Sequence, residues 1–215
     1  MLFRSVCFLY GNHDQQEIPS NDPLTVSQWQ EAVGLESSYY TRQYDTDKFI
    51  FLNTSDVFYY GYSDEQVHFL CRELMSAQER IVVFQHYSID DTFRWDPPLS
   101  SNVFTNVHLI RKCLEKYVAK EPFTFSGSTY QFNNTPAKLV AVISGDSHFE
   151  GYVKTNGVNY ICQPGYGGQG QATYPDKITW PPLAYGNIYY DIYVVSDSEI
   201  AGFRVGIGKD KVIEF

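Results

Sequence analysis

Leu139-Val140-Ala141-Val142-Ile143-Ser144-Gly145-Asp146-Ser147-His148 reads as a buried strand that ends on a glycine and then delivers a carboxylate and an imidazole. Two other stretches end in the same way. Val6-Cys7-Phe8-Leu9-Tyr10 runs as a short apolar strand into Gly11-Asn12-His13-Asp14. Ile81-Val82-Val83-Phe84-Gln85 runs into His86. Three apolar strands therefore present polar, metal-compatible side chains at their C-terminal ends, where open α/β sheets place their binding sites.

The residue types suit a division of labour. Asn12 offers an amide oxygen as a ligand, His13 an imidazole that can act as general acid, and Asp14 a carboxylate that can orient His13. Taken singly, Asn, His and Asp are ordinary turn formers, and His86 and His148 could each be a satisfied histidine at a strand end. Three such ends in one chain favour a shared site.

The motifs, in this order, resemble the later motifs of the calcineurin-like metallophosphoesterases: GNH(D/E), a lone His after a strand, and GHxH after another strand. Here these are Gly11–Asp14, His86 and Gly145–His148, with the helix beginning Ser63-Asp64-Glu65-Gln66 in the place of the family helix before the lone His. The resemblance implies a mixed α/β fold, an αββα sandwich of two mixed sheets flanked by helices. It implies a metal-dependent phosphoester hydrolase with two divalent ions, Mn favoured among Mn, Fe, Zn and Mg. Asn12, His86 and Asp146 would hold one ion and His148 the other, with His13 as general acid and Asp14 orienting it. The substrate would be a small phosphoester or a nucleotide.

Two departures qualify that expectation. The family's earlier DxH and GDxxD motifs have no counterpart, since residues 1–10 contain neither Asp nor His. The first His of GHxH is Asp146, a harder ligand that shifts the expected preference toward Mn²⁺ or Mg²⁺. A binuclear site uses about seven protein ligands in the family, and four candidates are visible. The sequence thus reads as an N-terminally truncated form of the fold, with little activity expected of this chain alone. The alternative is a non-catalytic or degenerate scaffold. A serine-esterase reading of Gly145-Asp146-Ser147 fails because no His follows His148 to serve as base.

The 215 residues suffice for one domain, 1–215, with 43% hydrophobic and 17% aromatic residues. A net charge of −9 argues against nucleic-acid binding through a basic surface, yet permits a phosphate substrate where cations supply positive charge locally. Cys7, Cys71, Cys113 and Cys162 are isolated in apolar runs, so reduced thiols and a cytoplasmic setting are expected. No apolar run is long enough to span a membrane.

Outside these motifs the pattern predicts helices over 25–33, 63–75 and 106–118, the second with a Ser63/Gln66 capping box. A strand meander is expected over 37–62, including Phe58-Tyr59-Tyr60. A hairpin is expected about Asn156-Gly157, with closing strands near 187–195, 199–206 and 211–215. Residues 87–104 and 119–137 read as long connections, either site-facing loops or insertions, and 163–184 as a Gly/Pro-rich loop. His68 and His108 lie on helices without ligand-spaced partners and read as structural.

Overall fold

The computed structural model describes residues 6–11, 14, 25–57, 61–93, 104–146, 150–163, 189–206 and 210–215. In chain order the elements are α1 (Val26–Val33), β1 (Tyr40–Tyr44), β2 (Asp47–Leu52), α2 (Asp64–Ser76) and β3 (Arg80–Gln85). A 3₁₀ turn (Asp91–Phe93), α3 (Val107–Val118), β4 (Phe123–Phe125), β5 (Ser128–Tyr130) and β6 (Lys138–Ser144) follow. The remainder is β7 (Gly151–Thr155), β8 (Val158–Cys162), β9 (Tyr189–Val195), β10 (Glu199–Gly206) and β11 (Lys211–Glu214).

Six strands make a mixed sheet in the order β1-β2-β3-β6-β8-β7. Its inner strands β2, β3, β6 and β8 are mutually parallel, and the edge strands β1 and β7 are antiparallel to their neighbours. All of β6 after Lys138 is buried, which is why its sequence is apolar without alternation. Helices α2 and α3 cover one face. Their stripes, Val67/Leu70/Cys71/Leu74 and Val107/Ile110/Cys113/Leu114/Tyr117, fall at helical spacing and are buried in one core with Ile81, Val83 and Val142. Each such leucine or valine contributes about 1.5–3 kcal/mol on burial, several times any per-residue helix propensity, so packing holds these helices in place.

The other face, through Val82, Val140, Ala141, Ile143 and Ile161, packs on Ile200 and Ile213 of the sheet β11-β10-β9. A buried ionic clamp sits at this junction. Arg204 reaches Glu150 Oε1 at 2.5 Å and Asp191 Oδ1 at 2.5 Å, and Lys211 reaches Asp191 Oδ2 at 2.8 Å and also touches Glu150. Two cations and two anions therefore balance where water is excluded. The outward face of this small sheet is apolar and open, with Ile192 and Val194 each 51% exposed, Phe203 48% and Val212 60%.

The mixed α/β class agrees with the sequence-based expectation, and several details differ. The second sheet is antiparallel throughout its described pairs rather than mixed, and the described helices α2 and α3 lie on one face of the large sheet. Val6-Cys7-Phe8-Leu9-Tyr10 is not a strand: Val6 is 76% exposed, and Phe8 N–H and C=O bond to the Tyr40 hydroxyl at 3.0 and 2.8 Å. A side chain thus satisfies the backbone that a ladder would otherwise serve. Residues 119–137 are not an irregular loop. They hold the β4–β5 hairpin, turned at Ser126-Gly127 with φ of 46° and 79°, and bury Phe123 and Phe132 in the core. Ser63 caps α2, accepting from Gln66 N–H, but Gln66 does not reciprocate. Its side chain pairs instead with both backbone groups of Asn53 at 2.7 and 2.9 Å. The capping box is at Thr25 and Gln28 of α1, which Gly34 ends at φ 71°. Phe58-Tyr59-Tyr60 and most of 163–184 lie outside the described residues.

Candidate functional site

β3 and β6 are adjacent and parallel, so the residues that follow them emerge side by side at one edge of the sheet. His86 follows β3, and Gly145-Asp146 follows β6. The N–H groups of Gly145 and Asp146 both donate to the His86 carbonyl, at 2.9 and 2.8 Å, which locks the two strand ends together. In this arrangement His86 Nε2 lies 3.3 Å from Asp146 Oδ1. The two side chains are 28% and 17% exposed, so solvent and solutes reach them.

Gly11 packs on the same imidazole. A Cβ placed at Gly11 would stand 2.9–3.0 Å from His86 Cδ2, Cγ and Nε2, well inside van der Waals contact, so the approach needs glycine. Asp14 closes the turn that starts there: its Oδ2 accepts from Gly11 N–H at 2.8 Å, and its own N–H donates to Gly11 O at 3.1 Å. Beneath the turn Tyr10 is fully buried, edge-on to Trp29 with ring centroids 5.1 Å apart. Burial pushes the Tyr10 phenol above its usual range, and the neighbouring Asp14 carboxylate adds to the effect.

The structure therefore brings together Gly11, His86 and Asp146 from three separate stretches, with Asp14 bound to the Gly11 backbone. Asn12, His13 and His148 lie outside the described residues. Among the described residues no group of three His, Cys, Asp or Glu side chains is placed to hold a metal ion. The His86–Asp146 pair nonetheless has the spacing of two ligands to one ion. Donors about 2.1 Å from a common cation, at angles from octahedral to tetrahedral, stand about 3.0–3.4 Å apart. The donor set, one imidazole nitrogen and one carboxylate oxygen, suits Mn²⁺ or Zn²⁺.

A polar support behind β3 escaped the sequence reading. Gln85, directly before His86, is buried on the helix side, and its Oε1 accepts from Tyr62 Oη at 2.9 Å. The signal was a polar residue closing an otherwise apolar strand. His68 and His108 are apart from the site: His68 Nδ1 meets the Tyr130 hydroxyl at 2.5 Å against Phe125, and His108 is exposed. Among the described residues no helix is long and apolar enough to cross a membrane.

No protein-family model matches the sequence, and no curated protein matches it. The structure is similar to the crystal structure of a dimetal phosphatase from Danio rerio, with a TM-score of 0.60 over 96% of this chain and 71% of that one, at 13% identity. That likeness establishes the fold, a mixed α/β architecture similar to that of a dimetal phosphatase.

Proposed function

We propose that the protein is a metal-dependent phosphoester hydrolase working at the ends of β3 and β6. The observation that carries this reading is the 3.3 Å approach of His86 Nε2 to Asp146 Oδ1, with Gly11 of the GNHD block packed on the same ring. Asn12, His86 and Asp146 would hold one divalent ion and His148 a second. Such ions supply neutralisation of phosphoryl charge and a more acidic water.

The chain's own groups do the rest. His13 delivers a proton to the leaving oxygen, worth about 10²–10⁴-fold. Asp14, whose carboxylate accepts from Gly11 N–H, orients His13. Gly11, flat against His86, keeps that ring from swinging away from Asp146. The four candidate ligands are fewer than a binuclear site uses, and a lone imidazole holds a divalent ion poorly against water. The 215-residue chain is accordingly expected to bind one ion and to turn over slowly.

Mn²⁺ titration followed by calorimetry or electron paramagnetic resonance tests the reading, beside hydrolysis of p-nitrophenyl phosphate and bis-p-nitrophenyl phosphate. His86→Ala and Asp146→Ala should each weaken Mn²⁺ binding about tenfold or more. Asp146→His should move the preference toward Zn²⁺. Mn²⁺ binding untouched by both alanine variants would exclude this pair as the metal site. Robust turnover by the chain, abolished by His13→Ala, would show the site to be more complete than its ligand count implies. A scaffold without catalysis is the competing reading, favoured by that same ligand count, and Mn²⁺ binding with no turnover under any condition would select it.

A further inference from the structure

A cavity of about 530 Å³ opens at the start of β6, the end of the strand away from Ser144 and the His86–Asp146 pair. Apolar groups form much of its wall, among them Val118 at the end of α3, Leu139 of β6 and Phe215. Three lysines line it as well: Lys120, Lys138 and Lys154. That combination is odd in a chain with 25 acidic and 16 basic side chains. Several described cations elsewhere find carboxylates: Lys48 meets Glu73, Arg80 meets Asp47, Arg111 meets Glu115, and Lys116 meets Glu121, whereas Arg42 lies over the Tyr40 ring.

Among the described residues, Lys120 and Lys154 pair with no carboxylate side chain. Lys120 Nζ donates only to neutral oxygens in the described hydrogen bonds: Thr135 O at 2.9 Å, Thr135 Oγ1 at 3.1 Å and Ala137 O at 3.3 Å. Lys138 is already engaged, donating to an oxygen of Phe215, the last residue given, at 2.8 Å and lying over its ring. Lys154 projects from β7 and has no carboxylate within ion-pair distance among the described residues. The charge of Lys120 is partly desolvated, and burial draws its pKa below the ordinary lysine value. An anion beside it would offset that cost. A volume of this size falls in the range that takes a small organic molecule, with apolar walls for its body and a few polar groups to orient it.

We propose that this cavity binds a small organic anion with an apolar body, its charged group held by Lys120 and Lys154 and its body lying against Val118, Leu139 and Phe215. The pairing of a charged rim with an apolar floor selects against inorganic ions, which gain nothing from the floor, and against neutral hydrocarbons, which gain nothing from the rim. The site is separate from the strand-end pair and stands whether or not that pair binds metal.

Three probes that separate body from charge test it by titration calorimetry on the intact chain: naphthalene-1-sulfonate, which has both, 1-naphthalenemethanol, which has the body alone, and sulfate, which has the charge alone. Naphthalene-1-sulfonate should bind at least about tenfold more tightly than either of the others. Lys154→Glu, at an exposed position that leaves the fold unaltered by circular dichroism, should weaken it by about tenfold or more. Val212→Lys, on the open face of the small sheet, should leave it unchanged. The proposal is overturned if the sulfonate does not bind, if the alcohol or sulfate binds as well, or if Lys154→Glu has no effect. Loss of binding in Val212→Lys would overturn it too, by moving the contact to the small sheet.

Discussion

The two faces of the six-stranded sheet are built on different principles. On the helix side, α2 and α3 press leucine, valine and aromatic side chains into one apolar core, and even Cys71 and Cys113 meet there with their sulfurs 3.4 Å apart. On the other side a smaller apolar patch is joined by the clamp of Arg204, Lys211, Glu150 and Asp191. An apolar face is held by shape and tolerates small errors, whereas a buried ion network is held by completeness. Loss of one partner leaves a charge stranded without water.

The largest expected effect tests this contrast directly. Asp191→Ala strips both Arg204 and Lys211 of a partner and should cost about 3–5 kcal/mol in urea unfolding. Leu70→Ala, in the centre of α2, opens a cavity on the helix face and should cost about 2–5 kcal/mol. Burial alone does not separate the buried Asp191 from Leu70, so a loss for Asp191→Ala below about 2 kcal/mol, under both ranges, would break the comparison.

Alkaline pH sharpens it next. Burial raises the phenols of Tyr160 on the large sheet and Tyr193 beside the clamp, with the Asp191 carboxylate adding to the shift at Tyr193. A phenol whose folded pKa exceeds the ordinary 10.0 lends stability that is complete below that pH. The unfolded chain ionises first, so the advantage is lost as pH climbs beyond it. Each tyrosine should remove at most about 1.4 kcal/mol per pH unit above 10. A fall in the unfolding midpoint above pH 10 that is shallower in Tyr193→Phe is the expected result.

The helix cap at Ser63 comes lower in the order. Ser63→Ala removes the acceptor for Gln66 N–H and should cost about 1 kcal/mol. The smallest effect is expected at Tyr160 near neutral pH. Its buried hydroxyl has no hydrogen-bond partner among the described residues, so Tyr160→Phe should be neutral or stabilise by up to about 1 kcal/mol. A loss above that, by thermal melting, would mean the hydroxyl is satisfied after all.

What the sequence made legible follows from where each signal resides. α1 was readable because Thr25 and Gly34 are local stop signs, and β7–β8 because Asn156-Gly157 supplies two positive-φ residues, at 49° and 83°. The convergence of His86 and Asp146 was readable because strand ends of a parallel sheet share one edge. Val6–Tyr10 misled because its apolar residues are neither paired in a ladder nor, apart from Tyr10, buried, and the Tyr40 hydroxyl that meets Phe8 is distant in sequence. The β4–β5 hairpin was hidden by Ser, Thr and Asn, although Ser126-Gly127 marked its turn. The ionic clamp left no trace at all, since four charges spread from Glu150 to Lys211 look in sequence like any solvated surface.

The open apolar face of the β9–β11 sheet has a colloidal consequence. At pH 7 a charge of −9 opposes contact between copies of the chain through the exposed side chains of Ile192, Val194, Phe203 and Val212. Near the isoelectric point of about 4.9 that repulsion vanishes while the hydrocarbon remains. Solubility should therefore pass through a sharp minimum there, deeper in sulfate than in chloride, and Val212→Lys should make it shallower.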